Sequence, residues 1–259
     1  MSPDDRVTTT ETSFEIVDTI KNCNGATLSQ LNQKLDLSRS GIHKHLHTLQ
    51  ESGFLTKEDN TYHIGMRFYN LGEYARKRKQ EFVIIEKHAE KLSNNTNEEV
   101  DFLIENNNKA LSIFRSHHPI ENQRHSGRYY YMHSVAGGKA LLSTYTRDRV
   151  EAVLNQWGLP KRTENTITSR AALFQELSQI RDQGYAISDE EFERGLRAIA
   201  IPVEEPLGEV IGALVISGPT YRMSHDRMQD ELADTIQSSR EELESVIYEE
   251  KFGNDSKST

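Results

Sequence analysis

Residues 38–55, SRSGIHKHLHTLQESGFL, constrain the fold more than any other stretch of the chain. With about 100° between successive residues of a helix, Ile42, Leu46 and Leu49 fall on one narrow side. Ser40, His43, Lys44 and His47 fall on the other, with Arg39 at the helix start. Ser38 is placed to cap the helix, and Ser52 and Gly53 stop it after Glu51. The aliphatic side holds the helix down and the donor side projects outward. A helix that enters the major groove of DNA needs this division, because its first turns offer donors to base edges and phosphates. Gly41 costs helix propensity, about 1 kcal/mol relative to Ala, and one reason to keep it is close approach to another helix or to a DNA backbone.

The flanks complete the unit. Phe14, Ile16, Val17 and Ile20 recur at helical spacing up to residues 22–25. Thr27 and Gln30 form a capping-box pair that opens a second helix, with Leu28, Leu31 and Leu35 as its apolar stripe. Residues 54–56 and 62–64 read as two short strands around the polar tip 57–60. Three short helices followed by a hairpin make a winged helix-turn-helix, here over residues 12–65, preceded by a polar tail, 1–11, expected to be disordered. The candidate DNA contacts are Ser38, Arg39, Ser40, His43, Lys44 and His47, with Lys57 on the wing. A merely solvated polar face is the competing reading of an isolated helix; the helical unit and wing around this one favour DNA. His43 and His47 have i, i+4 metal spacing, but no third ligand lies nearby and Cys23 stands alone, so no metal is expected. Neutral histidines at pH 7 imply contact by hydrogen bonding more than by counterion release.

Charge supports a division of labour. The 259 residues hold 40 acidic and 31 basic side chains, a formal charge of −9, which argues against a general polyanion binder. Residues 1–80 carry 11 bases against 10 acids, while residues 81–259 carry 20 against 30. The N-terminal part is therefore the one suited to meet an anion. A single cysteine excludes an intramolecular disulfide and fits a reducing compartment. The start lacks the apolar core of a signal peptide, and no run approaches the ~18 apolar residues of a membrane span. A cytoplasmic protein without a membrane partner is expected.

Residues 66–93 read as one long helix, with Phe68, Leu71, Tyr74 and Ala75 followed by Phe82, Ile85 and Ala89. It carries the basic run Arg76, Lys77, Arg78 and Lys79, a solvated face or a phosphate contact. A helix this long between differently charged halves suggests a linker and a dimer seam. Beyond it, over residues 94–252, the pattern is α+β. Strands are expected over 100–105, 109–115, 129–133, 185–188, 198–203 and 210–217, and helices over 138–143, 146–156, 171–183 and 224–250. Residues 253–259 read as a disordered tail.

No catalytic constellation appears. GGKALL is not a phosphate-binding P-loop, because Ala140 follows Lys139. Gly137 and Gly138 instead permit close approach to a ligand or strand, with helix N-terminal amides free for an anion. Asp189, Glu190 and Glu191 are consecutive and cannot face one site as an acid/base pair. No nucleophile elbow or zinc motif is present. The reading is a non-enzyme without cofactor.

The segments TLSQLNQKLDLSRSGIHKHLHTLQESGFL and NTYHIGMRFYNLGEYAR resemble the N-terminal domain of the IclR (isocitrate lyase regulator) family. HSVAGGKALLS, GYAISDEEFERGLRAIAIPV and GEVIGALVISGPTYRM are similar to that family's effector-binding domain, in order and at matching distances, and look most like archaeal members. The resemblance implies an α+β chain: an N-terminal winged helix-turn-helix joined by a long linker helix to a GAF-like α/β effector-binding domain. It implies a pocket at Ala136, Gly137, Gly138 and Ser188, with Asp189, Ala198, Val215 and Ser217. Three positions depart from the family's habit: Ser188 where an acid is common, Ala198 where a cysteine is common, and Val215 where a serine occurs. Fewer anchors remain for a small keto acid, and a bulkier or more apolar effector, or a sugar acid, is compatible. The implied function is a sequence-specific transcriptional regulator that binds a palindromic operator on double-stranded DNA. It would act as a homodimer or dimer of dimers, modulated by a small-molecule effector and controlling a catabolic pathway. A ligand-independent architectural DNA-binding protein is the alternative.

Overall fold

The computed structural model describes residues 6–116, 126–205 and 207–252. The expected tail 253–259 and the first five residues lie outside them. The chain forms two compact units, Met1–Lys79 and Gln80–Thr259.

The first unit opens with α1, Thr8–Asn22. Residues 8–11, expected to be disordered, are its first turn. Thr12 donates to the Thr8 carbonyl at 2.9 Å and Glu11 complements the helix N-terminus, so a polar composition conceals a helix start. A two-residue strand β1, Ala26–Thr27, precedes α2, Leu28–Lys34. The capping box is present: Gln30 N–H donates to Thr27 Oγ1 at 3.3 Å, and Thr27 N–H to Gln30 Oε1 at 2.8 Å. Helix α3, Arg39–Glu51, is capped by Ser38 Oγ, which accepts from the Gly41 amide at 3.1 Å. The wing pairs β2, Leu55–Glu58, with β3, Thr61–Ile64, and β1 adds to the free edge of β3. Ile16, Ile20, Leu31, Ile42 and Leu46 are fully buried in one core, each contributing about 1.5–3 kcal/mol.

Where one helix was expected over 66–93 there are two, α4, Arg67–Lys77, and α5, Gln80–Thr96. The apolar stripe lapses for six residues between Ala75 and Phe82, across the basic run. Helix α4 buries none of its residues, whereas α5 buries Ile85, Ala89 and Leu92. Nothing apolar anchors the helix through the gap.

Among the described residues the second unit is built on a six-stranded antiparallel sheet. Its strands are β4, Glu99–Asn106; β5, Lys109–Arg115; β6, Tyr129–Tyr130; β7, Ala186–Asp189; β8, Leu196–Glu204; and β9, Val210–Pro219. They lie in the order β6-β5-β4-β9-β8-β7. The strand expected over 129–133 ends early in a 3-10 turn, Met132–Ser134. Helices α6, Ala136–Ser143, α7, Arg147–Trp157, and α8, Arg170–Gln183, contribute to one core. Helix α5 and the terminal α9, Ala233–Phe252, build the other, after a π-helical turn at Arg227–Leu232. No helix among the described residues is long and apolar enough to cross a membrane.

Alternation along the strands gives the sheet two unequal faces. Ile199, Ile201, Leu214 and Ile216 fill the α5/α9 side. Ala198, Ala200, Ala213 and Val215 face α6. Small residues on that side leave space under the α6 N-terminus, and the cavity lies there.

Candidate DNA-contact face and ligand cavity

On α3, Ser38, Arg39, Ser40, His43, Lys44 and His47 are all exposed, while Ile42 and Leu46 are fully buried. The wing residue Lys57 is exposed too, its ammonium 5.2 Å from the Tyr62 ring centre. Among the described residues neither Arg39 nor Lys44 pairs with a carboxylate. The third histidine behaves differently: half-buried His45 turns inward, its Nδ1 2.8 Å from Ser13 Oγ on α1. No cluster of three metal-ligating side chains occurs among the described residues. A Cβ at Gly41 would touch only its own cap, Ser38 Oγ, at 3.1 Å, so no neighbouring helix in this unit demands the glycine.

In the second unit a cavity of about 50 Å³ lies between the small-residue face and α6. That is room for a few water-sized groups. Six of the eight expected pocket residues line it: Ala136, Gly137, Ser188, Ala198, Val215 and Ser217. Gly138 does not; it lies against the Met132 backbone, where a Cβ would come within 2.3 Å of the carbonyl oxygen. Asp189 does not either. Its carboxylate accepts from Arg197 Nε at 2.5 Å and lies 3.3 Å from His225 Nε2. The neighbouring acids diverge as their adjacency requires. Glu190 accepts from the Gly195 amide at 2.7 Å, and Glu191 from Lys139 Nζ at 2.6 Å.

The rest of the polar surroundings comes from residues not expected there. Asp101 on β4 stands opposite Arg115 on β5, and Glu99 opposite Ser217 on β9. Arg115 Nε donates to Asp101 Oδ2 at 3.0 Å, and its Nη2 donates both to Asp101 and to the Tyr130 hydroxyl, the latter at 3.3 Å. Ser112 donates to the other Asp101 oxygen at 2.7 Å. Burial pushes the Asp101 carboxyl above its usual range, and Arg115 pulls back. Burial works against the Arg115 charge, but Asp101 and Glu99 outweigh it and hold the guanidinium above its ordinary value. The sequence signal was an acid, Asp101, set between apolar Val100 and Phe102 in a strand.

Phe192 closes the apolar side. Its ring meets Tyr130 edge-on at 5.1 Å, and the Arg128 and Arg162 guanidiniums lie 5.0 and 5.2 Å from it. No side chain caps the N-terminus of α6, where Ala136 and Gly137 border the cavity. The arrangement can hold a small molecule with one polar end. It presents no nucleophile paired with a base, the minimum for acyl transfer.

Residues 80–244 match the family described as bacterial transcriptional regulator IclR C-terminal, and residues 10–59 match the IclR helix-turn-helix domain. The transcriptional regulator KdgR of Escherichia coli K12 is 32% identical, over 80% of each chain. The crystal structure of Thermotoga maritima IclR superposes with a TM-score of 0.73 at 26% identity, covering 93% of this chain and 99% of that one. A double mutant of the inducer-binding domain of PobR from Acinetobacter, solved with 3-hydroxybenzoic acid, covers 61% of this chain and 94% of its own at 26% identity and TM-score 0.58. This chain belongs to the IclR family of transcriptional regulators, and it is a DNA-binding regulator, not an enzyme.

Proposed function

We propose that the regulator's operator binding responds to a small metabolite held in the cavity beneath α6, and that it controls a catabolic pathway. The observation that carries this reading is the cavity on the small-residue face, with Ser188, Ser217 and Arg115 in its lining. That the inducer-binding domain of PobR, of the same fold, is crystallised as a double mutant with 3-hydroxybenzoic acid supports it. The DNA contacts are Ser38, Arg39, Ser40, His43, Lys44 and His47, with Lys57 from the wing. Two copies would dock a palindrome, because two-fold protein symmetry must match the half-sites. Exposed Tyr69, Leu71 and Tyr74 on α4, a helix whose Phe68 alone packs half-buried on the first core, support a dimer seam there, and a dimer of dimers is compatible.

Thermal-shift screening of the full chain against catabolic intermediates tests the ligand role, followed by gel shifts on DNA upstream of its own and neighbouring genes. A stabilising compound that changes operator affinity is expected. Failure of every compound to stabilise a folded chain that still binds DNA would defeat the sensor reading. Equal affinity for unrelated DNA would favour an architectural role.

A further inference from the structure

Resting on the reading of α3 as the DNA-contact face, we propose that Lys44 reads a guanine in each half-site from the major groove. The first turn of α3 reaches that depth by seating on the DNA backbone at Gly41.

The helix itself fixes where Lys44 points. Buried Ile42 and Leu46, with half-buried Leu49, set the inward direction of α3. At about 100° per residue, Lys44 stands about 190° from the middle of that stripe, nearer to straight outward than any other residue of the first two turns. Ser40 precedes it by one turn and His47 follows by just under one, so the three form a column along the outer face. Arg39 lies towards one flank of the column and Gly41 towards the other. Lys44 is exposed, and among the described residues no hydrogen bond or ion pair occupies its ammonium. At Gly41 a Cβ would touch only Ser38 Oγ, at 3.1 Å. Nothing within the unit therefore calls for glycine, at a position where it costs helix propensity. A bare backbone on the flank lets the sugar-phosphate wall come closer, which lowers the outward column towards the groove floor.

Donor chemistry then selects the base. A lysine ammonium has three donors and no acceptor. In the major groove guanine shows two acceptors together, N7 and O6. Adenine sets an amine beside N7, cytosine shows an amine, and thymine joins one acceptor to a methyl group. Either amine would face the ammonium donor to donor. Ser40 and His47 can each donate or accept, so they suit flanking bases of any kind. Asn and Gln read adenine, and Asp and Glu read cytosine; none of these stands in the column before Glu51. Glu51 shares the direction of Lys44 but is the last residue of α3, about 10 Å farther along the axis. The N-terminal residues of a recognition helix are the ones that meet base edges.

The test selects duplexes from a library with a randomised core, using the full chain. Selection should yield paired half-sites, each with an invariant guanine. Replacing that guanine by 7-deazaguanine, which removes N7 alone, should weaken binding about ten-fold. Inosine keeps N7 and O6 and should bind as guanine does. Lys44→Gln should move the preference at that position to adenine, whose N6/N7 edge suits an amide, and Lys44→Arg should keep guanine. Gly41→Ala, shown folded by circular dichroism, should weaken selected and unrelated duplexes alike; undiminished affinity would remove the backbone seat. Full affinity for the 7-deazaguanine duplex would overturn the guanine reading. So would a Lys44→Gln variant that loses affinity for every sequence equally and has a shallower salt slope, the mark of a phosphate contact. Either result leaves α3 as the DNA face. An enriched site whose preference no substitution at Ser40, Lys44 or His47 alters would remove that face and this proposal together. A selection that enriches no sequence would overturn both in favour of the architectural role.

Discussion

Lys139 Nζ lies 2.6 Å from Glu191 Oε1 and 2.7 Å from Glu176 Oε1, with its side chain 1% exposed. The pair fastens α6, whose first residues border the cavity, to the segment that carries Phe192. Thr163 and Thr166 add to the clamp by donating to the Glu191 carbonyl at 3.2 and 2.6 Å. Burial raises the Glu191 carboxyl above its usual range, against the pull of Lys139. One buried oxygen of Glu191 has no hydrogen bond.

Lys139→Ala leaves Glu191 buried without its cation and should cost about 3–5 kcal/mol. The double variant Lys139→Met/Glu191→Leu should recover much of that loss, because two charges are replaced by apolar groups of similar volume. Urea denaturation of the three proteins measures both. A single variant as stable as the parent would show that the ion pair is not what holds the segment.

Arg39→Ala combined with Lys44→Ala should weaken operator binding and flatten its salt dependence, by about 0.9 in log–log slope for each phosphate that is no longer neutralised. Ser40→Ala should change base preference more than salt slope if it meets a base edge. Inward-facing His45 gives the control: His45→Ala should lower stability by removing the partner of Ser13 and leave sequence preference intact. Gel shifts across a salt series separate these outcomes, and an unaltered affinity in the double variant would defeat the assignment of this face.

Helix α3, its cap and its exposed donors were legible because one local pattern determines all three: apolar residues three and four apart, and a serine before them. The capping box at Thr27 was legible for the same reason. Of the cavity's polar lining only Ser188 and Ser217 were expected; Asp101 and Arg115 were not. Asp101, Arg115 and Ser217 come from three strands, and their meeting depends on pairing register, including a bulge between Phe102 and Leu103 that shifts the β4–β5 ladder. Lys139 falls in the expected helix 138–143 with nothing local to mark it as a buried cation, because its partners are 37 and 52 residues away. The break between α4 and α5 was visible as a lapse in the apolar stripe and was outweighed by the helical spacing on either side.

Acid should destabilise the second unit from about pH 6.5 downward. Burial holds His88 and His133 below their ordinary value of 6.5. His88 is 2.8 Å from Ser239 Oγ, and His133 Nε2 donates to the Pro160 carbonyl at 3.2 Å. A depressed folded-state value means that the unfolded chain takes up the proton first. The stability is therefore complete above 6.5 and is lost as pH falls through the folded-state values. The limiting slope is about 1.4 kcal/mol per pH unit for each histidine. Denaturation at stepped pH should show the loss, and His88→Gln and His133→Gln should each flatten it; a parent profile no steeper than the variants' would dismiss these two groups as the cause.

The paired glycines before Lys139 should separate folding from ligand binding. A Cβ on Gly138 would come within 2.3 Å of the Met132 carbonyl oxygen and 2.5 Å of its Cα, backbone atoms that have little freedom to move. Gly138→Ala should therefore cost about 1–3 kcal/mol. A Cβ on Gly137 would meet Leu103 Cδ1 at 2.6 Å and Val215 Cγ2 at 2.8 Å, side-chain ends that can rotate, both from residues lining the cavity. Gly137→Ala should cost less stability but push those two side chains into the ligand space. Urea midpoints should rank Gly138→Ala as the weaker fold, and ligand-induced thermal shifts should rank Gly137→Ala as the poorer binder. If both orders were reversed, the backbone approach at Gly138 and the role of Gly137 as the cavity floor would each have to be abandoned.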